Sequence, residues 1–124
     1  MDYDPQNVFA RILRGEIPCK KIHETKHVLA FHDIAPQAHV HALVIPKGAY
    51  VSLADFTAKA SAEEIAELMR AIGEVANILG VTESGYRCLS NCGSDAHQEV
   101  PHLHFHIFGG GKLGPMIQPE RQLH

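Results

Sequence analysis

The sequence predicts an α+β domain: a five-stranded antiparallel sheet with one long and one short helix. Two observations carry this expectation. Short apolar runs bounded by turn residues recur along the chain, and a single long segment repeats its apolar residues at the helical period. Strands joined by turns, with one long helix among them, imply an antiparallel sheet with that helix packed on one face. The chain has 124 residues, enough to bury a core as one domain spanning 1–124.

The elements follow in order. Asn7-Val8-Phe9-Ala10-Arg11-Ile12-Leu13 reads as the short helix, with Val8, Phe9, Ile12 and Leu13 on one side. Asn7 caps it, and Gly15 then Pro18 stop it. Two strands come next, around Lys20–Glu24 and Val28–His32, joined by the polar turn Thr25-Lys26-His27. Asp33–Ala38 is a loop, and His41–Ile45 is a third strand closed by Pro46. The long helix runs from Ala62 to Leu79. Ser61 and Glu64 form its capping box. Ile65, Leu68, Met69, Ile72, Val75, Ala76 and Leu79 keep the period, and Gly80 ends it. Glu63, Glu67, Arg70, Glu74 and Asn77 make the opposite face, read as solvated. Tyr86–Asn91 and Pro101–Phe108 are the fourth and fifth strands, separated by the polar loop Cys92–Glu99.

Composition excludes several classes. A net charge of -3 and no Lys/Arg run longer than two residues argue against nucleic-acid binding. No apolar stretch is long enough to span a bilayer, and the acidic opening Met1-Asp2-Tyr3-Asp4 is not a secretory signal. Cys19, Cys88 and Cys92 are an odd set without a disulfide framework; on one strand Cys88 and Cys92 stand about 13 Å apart, too far to bridge. Free thiols, read as buried small hydrophobes, fit a reducing compartment, so a cytoplasmic location is expected.

The chemistry concentrates in Val100-Pro101-His102-Leu103-His104-Phe105-His106-Ile107-Phe108. Alternation along a strand puts His102, His104 and His106 on one face and Leu103, Phe105 and Ile107 on the other. The three imidazoles then form a ladder at intervals of roughly 6.5–7 Å. His41, His97 or a cysteine could complete a zinc site, but His-x-His-x-His lacks the spacings that mark one. No metal and no cofactor is expected. Chemistry on phosphorus fits better, because neutral imidazole is a nucleophile near pH 7 and flanking imidazoles can hold its tautomer. His104 is flanked on both sides, which favours it as the nucleophile. The turn Asn91–Gly93 and the backbone after Glu99 offer donors for a phosphoryl group. The plain alternative is a set of core histidines that only hydrogen-bond, a costly use of three polar rings.

His102-Leu103-His104-Phe105-His106-Ile107-Phe108 resembles the His-φ-His-φ-His-φ-φ signature of the histidine triad (HIT) superfamily, and the chain is similar to its Hint branch of purine nucleoside phosphoramidases. The resemblance extends over Phe9 with Ile12, Gly15–Pro18, Ala30–Ala38, His41–Lys47, Gly85–Arg87, Asn91, Gln98–Val100 and Gly109-Gly110. Leu113-Gly114-Pro115-Met116 resembles the bacterial members.

The resemblance implies a HIT-like fold, a homodimer and hydrolysis of a P–N bond through a nucleotidyl-histidine intermediate. On these positions it implies His104 as nucleophile, His102 as the group that orients it, and His106 at the phosphate or leaving group. His41 matches the family's fourth histidine. Asp33 would accept from the ribose hydroxyls. Phe9, Ile12, Ile17, Phe31, Ile34 and Leu43 would enclose a purine base, with His32 beside it. Asn91 and the main chain at Val100 would hold the phosphate. The partner is thus an AMP or GMP derivative. Glu99 stands where many animal members have a serine that assists the leaving amine, though glutamate there resembles the bacterial pattern; Pro101 replaces a usual tyrosine just before the triad, and His97 lies where glycine is common. Dinucleoside polyphosphate hydrolysis, as in the Fhit branch, and a nucleotide-binding regulatory role with little turnover are the competing readings.

Overall fold

The computed structural model describes residues 1–117; the last seven residues of the predicted domain lie outside the described residues. The described residues form eight elements: α1 (Val8–Leu13), β1 (Lys21–Glu24), β2 (Val28–His32), β3 (Val40–Pro46), α2 (Leu53–Lys59), α3 (Ala62–Ile78), β4 (Tyr86–Leu89) and β5 (Phe105–Gly109). The strands form one antiparallel sheet in the order β1-β2-β3-β5-β4. The predicted fold class holds, with one helix more than expected. No helix among the described residues is long and apolar enough to cross a membrane.

The sheet separates two apolar layers. Val28 and Ala30 of β2, Ala42 and Val44 of β3, and Phe105 and Ile107 of β5 pack with Leu68, Ala71, Ile72 and Val75 of α3 and Phe56 of α2. On the opposite face Leu29, Phe31, Leu43 and Ile45 pack with Phe9, backed by Ile12 and Leu13 of α1. Helices therefore cover both faces, whereas the sequence placed a helix on one. The period-2 alternation of every central strand is what divides the residues between the layers.

Several local predictions are met by the expected contacts. Asn7 Oδ1 accepts from the backbone N–H of Ala10 at 2.9 Å, and Ser61 and Glu64 form a reciprocal capping box. Gly80 follows α3 with φ +73, the left-handed turn that ends a helix without a Cβ penalty. Gly109 lies where a Cβ would come within 2.9 Å of Val81 Cγ1, which ties the end of β5 to the segment after α3.

Other expectations are corrected. α2 went unseen because it is a short helix of about two turns, with Phe56 its only buried residue and no side-chain cap bond from Ser52. Met69 is 48% exposed rather than core. Glu67 and Glu63 are not simply solvated: Glu67 accepts from Thr25 Oγ1 and the His27 N–H, and Glu63 pairs with His27 and Lys26. Two carboxylates of α3 thus clamp the β1–β2 turn. Cys88 and Cys92 are exposed and Cys19 only partly covered, against the buried reading; all three are free. The reason lies in the topology. β4 is an edge strand, and α3 packs on β1, β2, β3 and β5, leaving the edge uncovered.

Regular pairing of β5 begins at Phe105, opposite Val44, and not at Pro101. Pro101 has no N–H to donate, and the Leu103 N–H goes to the Tyr50 carbonyl at 2.7 Å. The side-chain alternation survives regardless. Leu103 joins the α3-side core, while the rings of His102 and His104 meet Phe9 on the other face.

Candidate active site

The site forms on the α1 face of the sheet. A cavity of about 400 Å³ lies there, walled by α1, the end of β2, the loop after it, β3 and the triad segment. All twelve residues proposed from the sequence to bind nucleotide line it: Phe9, Ile12, Ile17, Phe31, His32, Asp33, Ile34, Leu43, Asn91, Val100, His104 and His106. Glu99 lines it as well. His41 and His102 do not; they stand behind the lining. Val8, Pro18, Cys19, Gln37 and His97 complete the wall without having been foreseen for it. Ile34 is 96% exposed at the rim, an apolar side chain with almost nothing over it.

The hydrogen bonds determine each imidazole's tautomer, because a carbonyl oxygen only accepts and a backbone N–H only donates. His104 Nδ1 is 2.7 Å from the His102 carbonyl, so Nδ1 carries the proton and Nε2 carries a free lone pair. His102 Nε2 donates to the Pro46 carbonyl at 2.8 Å, which leaves its Nδ1 to accept from the Tyr3 hydroxyl at 2.8 Å. His41 Nδ1 accepts from the Gln37 N–H at 3.1 Å, so the His41 proton sits on Nε2. That proton faces His106 Nδ1 at 2.9 Å and Asp33 Oδ2 at 3.3 Å. His106 consequently accepts at Nδ1 and carries its own proton on Nε2.

Neither Nε2 of His104 nor Nε2 of His106 has a protein partner among the described residues. No buried side-chain nitrogen or oxygen in the described residues lacks one, so both atoms open to the cavity. Their rings are 5.0 Å apart, edge to face. The site thus presents a lone pair and an N–H side by side.

Burial holds all four imidazoles in their neutral form. His102 and His104 are pushed below the ordinary histidine value by desolvation. His41 is lowered for the same reason, with Asp33 opposing. His106 is pushed down to about 4, by burial first and then by His104 and His41. A nucleophilic imidazole must be neutral, and this one stays so through the physiological range.

Asp33, His41 and His106 bring donor atoms within 4.8 Å of one another, the one such cluster among the described residues. A cation there would have to displace the only ring proton of His41 while Gln37 N–H still occupies Nδ1. That would make His41 an imidazolate. The cluster is better suited to relaying a hydrogen bond than to holding a metal.

Polar groups around the wall hold the triad and its loop in place. Ser90 Oγ donates to the His104 carbonyl at 2.7 Å. Gln98 accepts from the Gly93 N–H at 2.9 Å and donates to the carbonyls of Val51 and Val100, which pins the 92–99 loop at both ends. His97 adopts φ +60, and its Nε2 lies 2.9 Å from Glu99 Oε1. The left-handed backbone explains why glycine is the easier residue there. The bonds from Ser90 to the His104 carbonyl and from Gln98 to the Val51 carbonyl have no sequence signal, since each joins segments that only the fold brings together.

Known proteins share the sequence pattern and the fold. The family model described as "HIT domain" matches residues 14–113. The chain belongs to the HIT family. An uncharacterised HIT-like protein of Azospirillum brasilense is 70% identical over 115 residues, covering 93% of this chain and 94% of the relative. A protein named purine nucleoside phosphoramidase from Escherichia coli (strain K12) is 35% identical over 112 residues, covering 90% and 93%. The structure of a HIT family hydrolase from Clostridium thermocellum matches with a TM-score of 0.84 at 38% identity, covering 91% of this chain and 97% of that one. The HIT signature is therefore carried here by His102, His104 and His106 on the cavity side of the sheet.

Proposed function

We propose that this HIT protein hydrolyses the P–N bond of purine nucleoside 5′-phosphoramidates. The observation that supports the reading best is the paired state of His104 and His106: an unprotonated Nε2 beside a protonated one, both open to the cavity. In the proposed reaction the His104 Nε2 lone pair forms a bond to phosphorus and the P–N bond breaks. The departing nitrogen takes a proton, for which His106 Nε2–H is the placed donor. Water then cleaves the nucleotidyl-histidine and releases the nucleoside monophosphate. The charge that develops on His104 is stabilised through its Nδ1–H bond to the His102 carbonyl, since a bond from a charged donor is the stronger one.

The rest of the wall supports a nucleoside monophosphate ligand. Asp33 is a carboxylate with Oδ1 accepting from the Ala35 N–H at 2.8 Å, a fixed acceptor suited to ribose hydroxyls. Phe9, Phe31, Ile12, Ile17, Leu43 and the open Ile34 provide the apolar surface for a base. Asn91 lines the same cavity as His104 and offers an amide donor for phosphate. We further propose a homodimer in the cytoplasm, with the β4 edge and the exposed Ala62, Ala66, Met69 and Gly73 side of α3 covered by the second copy.

Steady-state hydrolysis of adenosine 5′-phosphoramidate tests the activity. Wild type should turn over and trap a covalent adenylyl group, and His104→Ala should lose both while keeping AMP affinity. An adduct on any other residue overturns the assignment. Equal or faster cleavage of diadenosine polyphosphates would favour the alternative hydrolase, and tight AMP binding without turnover a regulatory role. Light scattering at micromolar concentration should give twice the chain mass, and a clean monomer removes the dimer.

A further inference from the structure

Tyr3 lies 99 positions from His102 in sequence, yet its hydroxyl is 2.8 Å from His102 Nδ1. We propose that Tyr3 is a positioning residue for the reaction: its hydroxyl keeps His102 in a single ring setting and, through the His102 carbonyl, keeps Nε2 of His104 unprotonated and aimed into the cavity. The kinetic part of this proposal rests on the phosphoramidase reading above; the tautomer part does not.

His102 is fully buried, so each of its ring nitrogens needs a protein partner. Pro46 accepts the Nε2 proton and can do nothing else, which leaves Nδ1 as an acceptor. Tyr3 is the donor that satisfies it. The ring is thereby held at both ends, between the N-terminal segment and the end of β3. The same residue's carbonyl receives the His104 Nδ1–H at 2.7 Å. This bond decides which nitrogen of His104 is nucleophilic. The two ring bonds anchor the residue that carries this carbonyl, so losing one of them loosens the segment on which the His104 tautomer depends.

The segment that delivers Tyr3 is itself tied down. The Asp4 carbonyl accepts from both the backbone and the side-chain nitrogen of Asn7, at 3.0 and 2.7 Å. Arg14 Nη1 donates to the Pro5 carbonyl at 2.7 Å, and Gln6 N–H to Asp4 Oδ1 at 2.9 Å. The N-terminal residues are thus fastened to α1, and the Tyr3 ring packs against His102 at 5.6 Å between centroids. Without the phenol oxygen, Nδ1 of His102 would be an orphaned acceptor in a closed space. The ring would turn or admit water, and the Nε2–H form of His104, which has no lone pair for phosphorus, would gain population.

Tyr3→Phe removes the hydroxyl alone. With adenosine 5′-phosphoramidate we expect kcat to fall about tenfold while KM stays within about twofold. In a His102→Ala background the same change should alter kcat less than about twofold, because the path through His102 is already gone. Ring ¹⁵N spectra of the ligand-free protein should show His104 as the Nδ1–H form in wild type and as a mixture in Tyr3→Phe. Unchanged kcat with unchanged His104 ¹⁵N shifts would overturn the proposal. So would a lower melting temperature at unchanged kcat, or the full kcat loss in the His102→Ala background. A wild-type protein without phosphoramidase activity would remove the functional reading, and the ¹⁵N comparison would still decide the role of Tyr3.

Discussion

His41 and His106 share one hydrogen bond of 2.9 Å, and the proton in it belongs to His41. The assignment follows from the backbone N–H of Gln37, which occupies the other nitrogen of His41. One loop amide therefore sets the protonation of a ring two steps away, and the N–H that His106 offers to the cavity is a consequence of where Gln37 sits.

Removing that relay should disable the donor without emptying the pocket. His41→Ala leaves His106 free to place its proton on either nitrogen. The expected loss is about tenfold in kcat, equivalent to about 1.4 kcal/mol of transition-state stabilisation. AMP affinity measured by calorimetry should change less than about twofold. An unaltered kcat would show that the relay does not set the His106 tautomer.

The neutral ladder predicts acid sensitivity. His106 titrates near 4 in the folded protein and near 6.5 unfolded, so the unfolded state binds more protons between those values. Stability contributed by the neutral form is present above about 6.5 and is lost as pH falls toward 4. His41, His102 and His104 are lowered as well and act in the same direction. The His106 share alone is on the order of 3 kcal/mol, from about 1.36 kcal/mol per pKa unit. Urea midpoints from pH 7 to pH 4 should fall steadily. A flat profile would mean that the imidazoles are not held neutral by burial.

Ile34 separates binding from folding. Being almost wholly exposed, it contributes little to the core, and Ile34→Ala should shift stability by less than about 0.5 kcal/mol. If its side chain closes over a base, KM for the adenosine substrate should rise about threefold to tenfold, the order expected for apolar contact worth about 1 kcal/mol. Unchanged KM would take Ile34 out of the binding surface.

The pair at the cavity mouth bears on the leaving group. Glu99 is a carboxylate facing the pocket, and an opposite charge within about 4–6 Å favours a protonated amine. His97 already bonds one of its oxygens, so part of that charge is engaged by the protein. Glu99→Ser should slow alkylamine phosphoramidates more than aromatic ones, by up to about tenfold. His97→Gly should widen the preference for alkylamines, because it frees the carboxylate. Relief of the positive φ should also keep stability equal or raise it by about 0.5 kcal/mol. Equal losses for both substrate classes would make Glu99 a brace for its loop.

Sequence alone determined that the three imidazoles of the triad share one face. Alternation in the triad segment assigns each of its side chains to a face. That is why His102, His104 and His106 were legible as one set opposite Leu103, Phe105 and Ile107. The resemblance added the rest of the wall, Phe9, Ile12, Ile17, Phe31, His32, Asp33, Ile34, Leu43, Asn91 and Glu99; by residue type alone Phe9, Ile12, Phe31 and Leu43 read as core. What only the tertiary structure decided is the protonation of the ladder. Nothing in His-x-His-x-His says which nitrogen carries a proton. The partners that set it are the Tyr3 hydroxyl, the Pro46 and His102 carbonyls and the Gln37 amide. Three of the four come from segments outside the triad, and a backbone carbonyl or amide is the same group in every residue. Composition and periodicity therefore carry no trace of them. The same limit hid α2, whose place depends on one buried ring, Phe56, and exposed Cys88 and Met69, whose side chains were apolar enough for a core that the helix and sheet had already filled.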